Sequence, residues 1–121
     1  MSDNENLKRF GTYQKALELF DLTVADLRPL LIQPALHRLI AQQYASADSI
    51  ASNIEEGYGR GSRKDYAHFL IIARGSAQET AGRYRRLRHW LQQPVVEARV
   101  ALCNEIIGIL TATITTLRKQ A

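Results

Sequence analysis

The segment IASNIEEGYGRGSRKDYAHFLIIA, residues Ile50 to Ala73, decides the fold. Apolar residues recur at Ile50 and Ile54 before its centre, and at Tyr66, Leu70 and Ala73 after it. Intervals of four and three belong to one face of an α-helix. Between the periodic halves lies Gly57-Tyr58-Gly59-Arg60-Gly61-Ser62, where three glycines interrupt the pattern. A short glycine-rich break between two helical stretches predicts an antiparallel hairpin. Gly57 is expected to supply the left-handed residue that ends the first stretch. Ser62 with Asp65 three positions on has the spacing of a capping box, Asp standing in for the usual Glu.

Working outward, the same spacing defines four helices. The first stripe is Tyr13, Leu17, Phe20, Val24, Leu27 and Leu31. The second is Leu36, Ile40, Gln43, Ala47, Ile50 and Ile54. The third is Tyr66, Leu70, Ala73, Ala77, Thr80, Tyr84, Leu87 and Leu91. The fourth is Val96, Val100, Cys103, Ile107, Leu110, Ile114 and Leu117. Stripes of this kind suit helices crossing at roughly 20°. No period-two alternation occurs, so no strand is expected. The predicted fold is all-α, an up-and-down antiparallel four-helix bundle with helices at about 12–31, 35–56, 63–92 and 95–119. Thr12 is the expected cap of the first helix. Pro29 turns the chain near Arg28, with a distorted turn running on to Leu31. Pro34 and Pro94 fit the first turns of the second and fourth helices. Arg118 and Lys119 suit the negative end of the last helix dipole. Residues 1–9 read as a flexible tail and residues 10–121 as a single domain.

A chain of 121 residues can bury one substantial core. Cys103 is its only cysteine, which rules out an intrachain disulfide. With a polar Met1 to Arg9 and no run of 18 apolar residues, the expectation is a cytoplasmic protein without a membrane partner. The formal net charge is +4. Between Gly59 and Trp90 eight cationic residues face two acidic ones, so this third quarter carries +6 and the remainder −2. Arg83, Arg85, Arg86 and Arg88 are read as an exposed ridge late in the third helix, joined by Arg60, Arg63 and Lys64 near its start. Arginine forks suit phosphate oxygens. The ridge is therefore a candidate nucleic-acid surface, RNA included, and it equally suits an acidic protein partner.

Catalytic chemistry finds little support. His37, His68 and His89 form no ligand pair of metal-binding spacing. Cys103 lies on an apolar stripe and reads as core. Glu55, Glu56 and Glu79 lack a nucleophile or metal beside them. The glycine-rich turn follows no strand and lacks the phosphate-loop pattern. The expectation is a non-enzyme without cofactor, metal or evident small-molecule substrate. Ser49 and Asn53, with Ser76 and Glu79, are predicted to form a polar network across the hairpin, with Gly75 permitting close approach. The turn itself is assigned to Gly57, Gly59, Gly61 and Ser62. The fourth helix carries more apolar surface than one seam needs. Leu102, Ile106 and Ile109, with Leu19 and Leu22 of the first helix, are therefore expected at an oligomer interface. An interaction scaffold without nucleic-acid contact is the alternative function.

The residues also carry a family resemblance. Ala47 to Arg60, Ser62, Asp65-Tyr66, Phe69 to Ser76 and Glu79, together with Tyr13 to Leu19, resemble the signature of the 23S rRNA-intervening-sequence proteins. That resemblance implies a bacterial cytosolic four-helix bundle assembled as a ring, a homopentamer. It implies genes lying within rRNA intervening sequences and leaves the molecular role unknown. A related group resembles accessory proteins of diversity-generating retroelements, which bind nucleic acid and a reverse transcriptase. Gln42-Gln43 is followed here by Tyr44-Ala45, where a basic pair is expected of the family.

Overall fold

The computed structural model describes residues 10–120, so the expected tail at 1–9 lies outside the described residues. Four helices make the bundle: α1 (Gly11–Leu27), α2 (His37–Tyr58), α3 (Arg63–Arg86) and α4 (Gln93–Gln120). Short 3-10 segments, Arg28–Ile32 and Pro34–Leu36, join α1 to α2, and Leu87–His89 begins the link from α3 to α4. No strand occurs among the described residues. The prolines explain the first link. Pro29 and Pro34 stand at the starts of their 3-10 turns, where a missing N–H costs no helical hydrogen bond.

The hairpin of α2 and α3 forms as its sequence predicts, by a different route. Ser62 is extended and caps α3, its Oγ accepting a hydrogen bond from the Asp65 amide at 3.0 Å. No described residue has a positive φ, so Gly57 is not a left-handed terminator. It lies inside the last turn of α2, buried. A Cβ on Gly57 would fall 2.8 Å from Cβ of Phe69 and 3.0 Å from Cδ1 of Tyr66. The glycine is needed because α3 comes that close. Gly75 was expected to permit close approach, yet it is exposed and a Cβ there meets nothing within 4 Å.

The core runs through all four helices. Every residue of the predicted α2 stripe is buried, and the α3 stripe is buried from Leu70 to Leu87. In α4 the core residues are Val96, Cys103, Ile106, Leu110 and Ile114. The α1 stripe is rotated from its predicted setting. Thr12, Ala16, Leu19, Thr23 and Leu27 face inward, while Leu17 is 41% exposed. Thr12 consequently does not cap α1; Phe10 holds that position without a side-chain bond. A polar clamp at the far end fixes the rotation. The Tyr84 hydroxyl lies 2.9 Å from Oγ1 of Thr23 and 2.8 Å from Oδ2 of Asp26. Asp26 in turn accepts two bonds from Arg99, at 2.8 and 3.0 Å. Such a fork ties α1, α3 and α4 at one level.

Two glycine substitutions should move stability in opposite directions. Gly57→Ala should destabilise by about 1–3 kcal/mol through overpacking against Phe69. Gly75→Ala should stabilise by roughly 0.5–1 kcal/mol, since it adds helix propensity in open space. Urea denaturation midpoints of the two variants check both signs.

Candidate functional site

The basic residues do not form one surface. Lys64 and Arg86 stand 22 positions apart on α3, which at 1.5 Å per residue separates them by roughly 33 Å. The near set borders the α2–α3 turn. Arg60 pairs with Glu56 and lies 5.1 Å from the centroid of the Phe69 ring. Arg63 donates to the Gln120 carbonyl at 3.3 Å. Arg63, Lys64, His68 and Arg118 rim a cleft of about 300 Å³ floored by Ala67, Ile71 and Leu117. Arg118 was assigned to the helix dipole and not to the predicted basic surface. Its signal was the antiparallel register, which returns the end of α4 to the start of α3.

The far set lies where α3 gives way to α4. Arg85, Arg86 and Arg88 are exposed, and none has a carboxylate within ion-pair distance among the described residues. Arg88 donates to the Arg85 carbonyl at 3.1 Å. Arg85 and Arg88 line a cleft of about 450 Å³ with Gln93, Val96 and Glu97. Arg28 and Arg38, also exposed, flank the α1–α2 connection at the same end of the bundle.

Arg83 does not belong to this ridge. It is only 6% exposed and fills the seam between α2 and α3. Its Nη1 donates to Oε1 of Gln43 at 2.9 Å and Oγ of Ser46 at 3.1 Å, and its Nη2 pairs with Glu79 at 3.1 Å. The reason is helical geometry. Ser76, Thr80 and Arg83 follow at intervals of four and three, so they share the face turned toward α2.

The predicted network is present in part and extends further. Ser76 donates to Ser49 Oγ at 2.9 Å, and Asn53 donates to the Ser49 carbonyl at 2.8 Å. Glu79 is not joined to these residues; it serves Arg83. The larger part centres on Gln43, which donates to the Thr80 carbonyl at 2.9 Å. Thr80 Oγ1 is 2.8 Å from Ser46 Oγ. Gln43 and Thr80 stood in the predicted apolar stripes as their polar members, which was the available signal.

The residues weighed for nucleophilic and metal chemistry are held as follows. Cys103 is buried and burial pushes its thiol up to about 12, so it is not a thiolate at neutral pH. Glu55 accepts from the Tyr13 hydroxyl, Glu56 pairs with Arg60 and Glu79 with Arg83, so each of the three engages a different side chain. Among the described residues no three His, Cys, Asp or Glu side chains are grouped to hold a metal ion.

The outer face of α4 also needs correction. Ile106 is fully buried in the core, as is Leu19, so neither lies on an outer surface. Leu102 and Ile109 are half-buried beside exposed Ala98, Ala101 and Ala112. By length and composition α4 is apolar enough to cross a membrane, with an 18-residue window of mean hydropathy 1.6, of which 22% is buried. The sequence criterion of an unbroken apolar run passed over this, because Asn104, Glu105 and the threonines from Thr111 onward interrupt the run while leaving its mean hydropathy high. The core stripe of α4 packs on its neighbours, and the rest of its circumference remains open.

The profile of the 23S rRNA-intervening sequence proteins matches residues 8–112. A crystal structure from Bacteroides thetaiotaomicron, described as a protein of unknown function from the S23 ribosomal protein family, is similar to this chain. The two are 26% identical, with a TM-score of 0.79 over 85% of this chain and 97% of that one. Comparison with curated proteins finds no match. The chain belongs to the 23S rRNA-intervening sequence protein family.

The seam and the buried acids give two expectations. Arg83→Ala should destabilise by about 1–3 kcal/mol, because it leaves the buried Gln43 Oε1 without its donor while Glu79 stays half in water. Thermal or urea unfolding measures it. Cys103 and Tyr66 are both pushed up to about 12 by burial, from 9.0 and 10.0. The unfolded chain therefore releases these protons first as pH rises. The stability they contribute is whole below pH 9 and declines toward pH 12. A series of denaturation curves from pH 8 to 11 should show that decline, with Cys103→Ala reducing its slope.

Proposed function

We propose that this chain is a non-enzymatic, cytoplasmic homo-oligomer that holds nucleic acid on basic surfaces at the ends of its bundle. The observation that carries the reading is the far set: Arg85, Arg86 and Arg88 are exposed and, among the described residues, without carboxylate partners. Unpaired guanidinium groups are free to replace counterions on phosphates, which supplies affinity without sequence readout. Arg63 and Lys64 give a second contact at the near end, while Arg60 is engaged by Glu56. The family's description refers to 23S rRNA intervening sequences, which makes RNA the first polyanion to test.

Assembly rests on a separate observation, the open outer side of α4. Leu102 and Ile109, with the half-buried Leu22 of α1, offer apolar surface between small exposed alanines. Small side chains let a second helix approach closely, and the family resemblance favours a ring of five. An interaction scaffold without nucleic acid uses this same face and leaves the arginines solvated.

Light scattering after size exclusion should give a multiple of 13.7 kDa, and Leu102→Asp with Ile109→Asp should lower it to one subunit. A monomeric parent protein contradicts the assembly. Binding of a structured RNA should weaken steeply with salt. Changing Arg85, Arg86 and Arg88 together to Ala should reduce the slope of log K on log salt by about 2–3 units. An unchanged slope, or no binding at low salt, favours the scaffold.

A further inference from the structure

The far end of the bundle holds a group that phosphate binding does not use. Trp90 is the only tryptophan in the chain, and it is 40% exposed. It directly follows Arg88 and His89 and precedes the cleft residue Gln93. Its ring lies 5.6 Å from that of His89, at an interplanar angle of 73°. The backbone beneath is held firmly. The amides of Trp90 and Leu91 both donate to the Leu87 carbonyl, at 2.9 and 3.0 Å, and Leu87 is fully buried. The indole thus stands on an anchored turn, so little ordering is required when something packs on it.

Arg88, two residues before Trp90, and Gln93, three residues after it, line a cleft of about 450 Å³, within the range that holds small organic groups, roughly 300–1,000 Å³. Its lining is mixed. Arg85 and Arg88 offer donors to an anion, and Val96 offers an apolar wall. Glu97 accepts a bond from Gln93 at 2.8 Å and is a further acceptor for a hydroxyl or amino group. A bare phosphate would use the arginines alone and leave Val96 and Glu97 without a partner. A nucleotide has a phosphate for the arginines, hydroxyl and amino donors for Glu97, and a flat face for the indole. A second copy of this end is disfavoured as the occupant, because the exposed arginines of the two copies would oppose each other.

We infer that this end binds an unpaired strand of nucleic acid, with a base stacked on Trp90 and the adjoining phosphates held by Arg85, Arg86 and Arg88. The inference rests on the nucleic-acid reading above and specifies its substrate class. In a duplex the base faces are covered by their neighbours, so an indole gains nothing there. A single strand or loop presents those faces, and stacking on an aromatic side chain tolerates any base.

The test uses the whole protein and two probes: a labelled unstructured RNA of twelve nucleotides, and the duplex of the same sequence. Anisotropy follows binding, and the emission of Trp90 reports stacking without an added label. The single strand should bind and quench Trp90 emission, while the duplex should leave it unchanged. Trp90→Ala should weaken single-strand binding about tenfold and leave duplex binding unaltered, and Trp90→Phe should restore most of the loss. Binding of the single strand with no quench and no effect of Trp90→Ala overturns the stacking inference and leaves the phosphate reading standing. No binding of either probe at low salt overturns both. A blue shift of Trp90 with phosphatidylglycerol vesicles, with no response to RNA, also overturns both and assigns this end to a lipid surface.

Discussion

The position of one guanidinium governs what the bundle shows to its surroundings. Arg83 is the only arginine of α3 whose charge is enclosed, and it can be enclosed because α2 supplies Gln43 and Ser46 opposite it. Both terminal nitrogens of Arg83 are engaged there, while its buried Nε has no partner among the described residues, and a register shift of α2 would strand the whole cation. With Arg83 turned toward α2, Tyr84 is turned toward α1 and Leu87 into the core. Arg85, Arg86 and Arg88 are left outside. One rotation of α3 sets both the stability of the seam and the charge of the end.

The two polar systems divide the work along the bundle. The seam from Asn53 and Ser49 through Thr80 to Arg83 holds α2 against α3. The clamp of Tyr84, Asp26 and Arg99 holds α1 and α4 to α3 beyond it. Burial raises the Tyr84 hydroxyl above the usual phenol range, and the Asp26 carboxylate beside it acts in the same direction. It therefore stays protonated and can donate to that carboxylate. The clamp works beside apolar packing at this end, where Leu27, Ile40 and Leu87 are fully buried. The surface left free carries the cations and Trp90.

Much of the fold was legible because period, glycine and proline all pointed the same way. The stripe from Leu36 to Ile54 is buried throughout, and the Ser62 cap is where its spacing put it. Failures came where one residue type serves two physical purposes. Gly57 was read for backbone freedom, yet its missing side chain admits Phe69. Leu17 was read as core because it is apolar, whereas Ala16 and Thr23 take the inner face through tight packing and the Tyr84 hydrogen bond. Arg83 was grouped with its charged neighbours because a run of arginines looks uniform in one dimension. Its spacing from Ser76 and Thr80 was the better guide. Ile106 was placed outside for the opposite reason, since α4 is apolar around so much of its circumference that period alone cannot select its inner face.

Arginine-specific labelling with phenylglyoxal, read residue by residue by mass spectrometry on the native protein, tests the central claim most directly. Arg83 should be protected, while Arg85, Arg86 and Arg88 should react at rates near those of the unfolded chain. An Arg83 that reacts as fast as Arg86 would contradict the account, because α3 would then lack the rotation on which both the seam and the free cations depend.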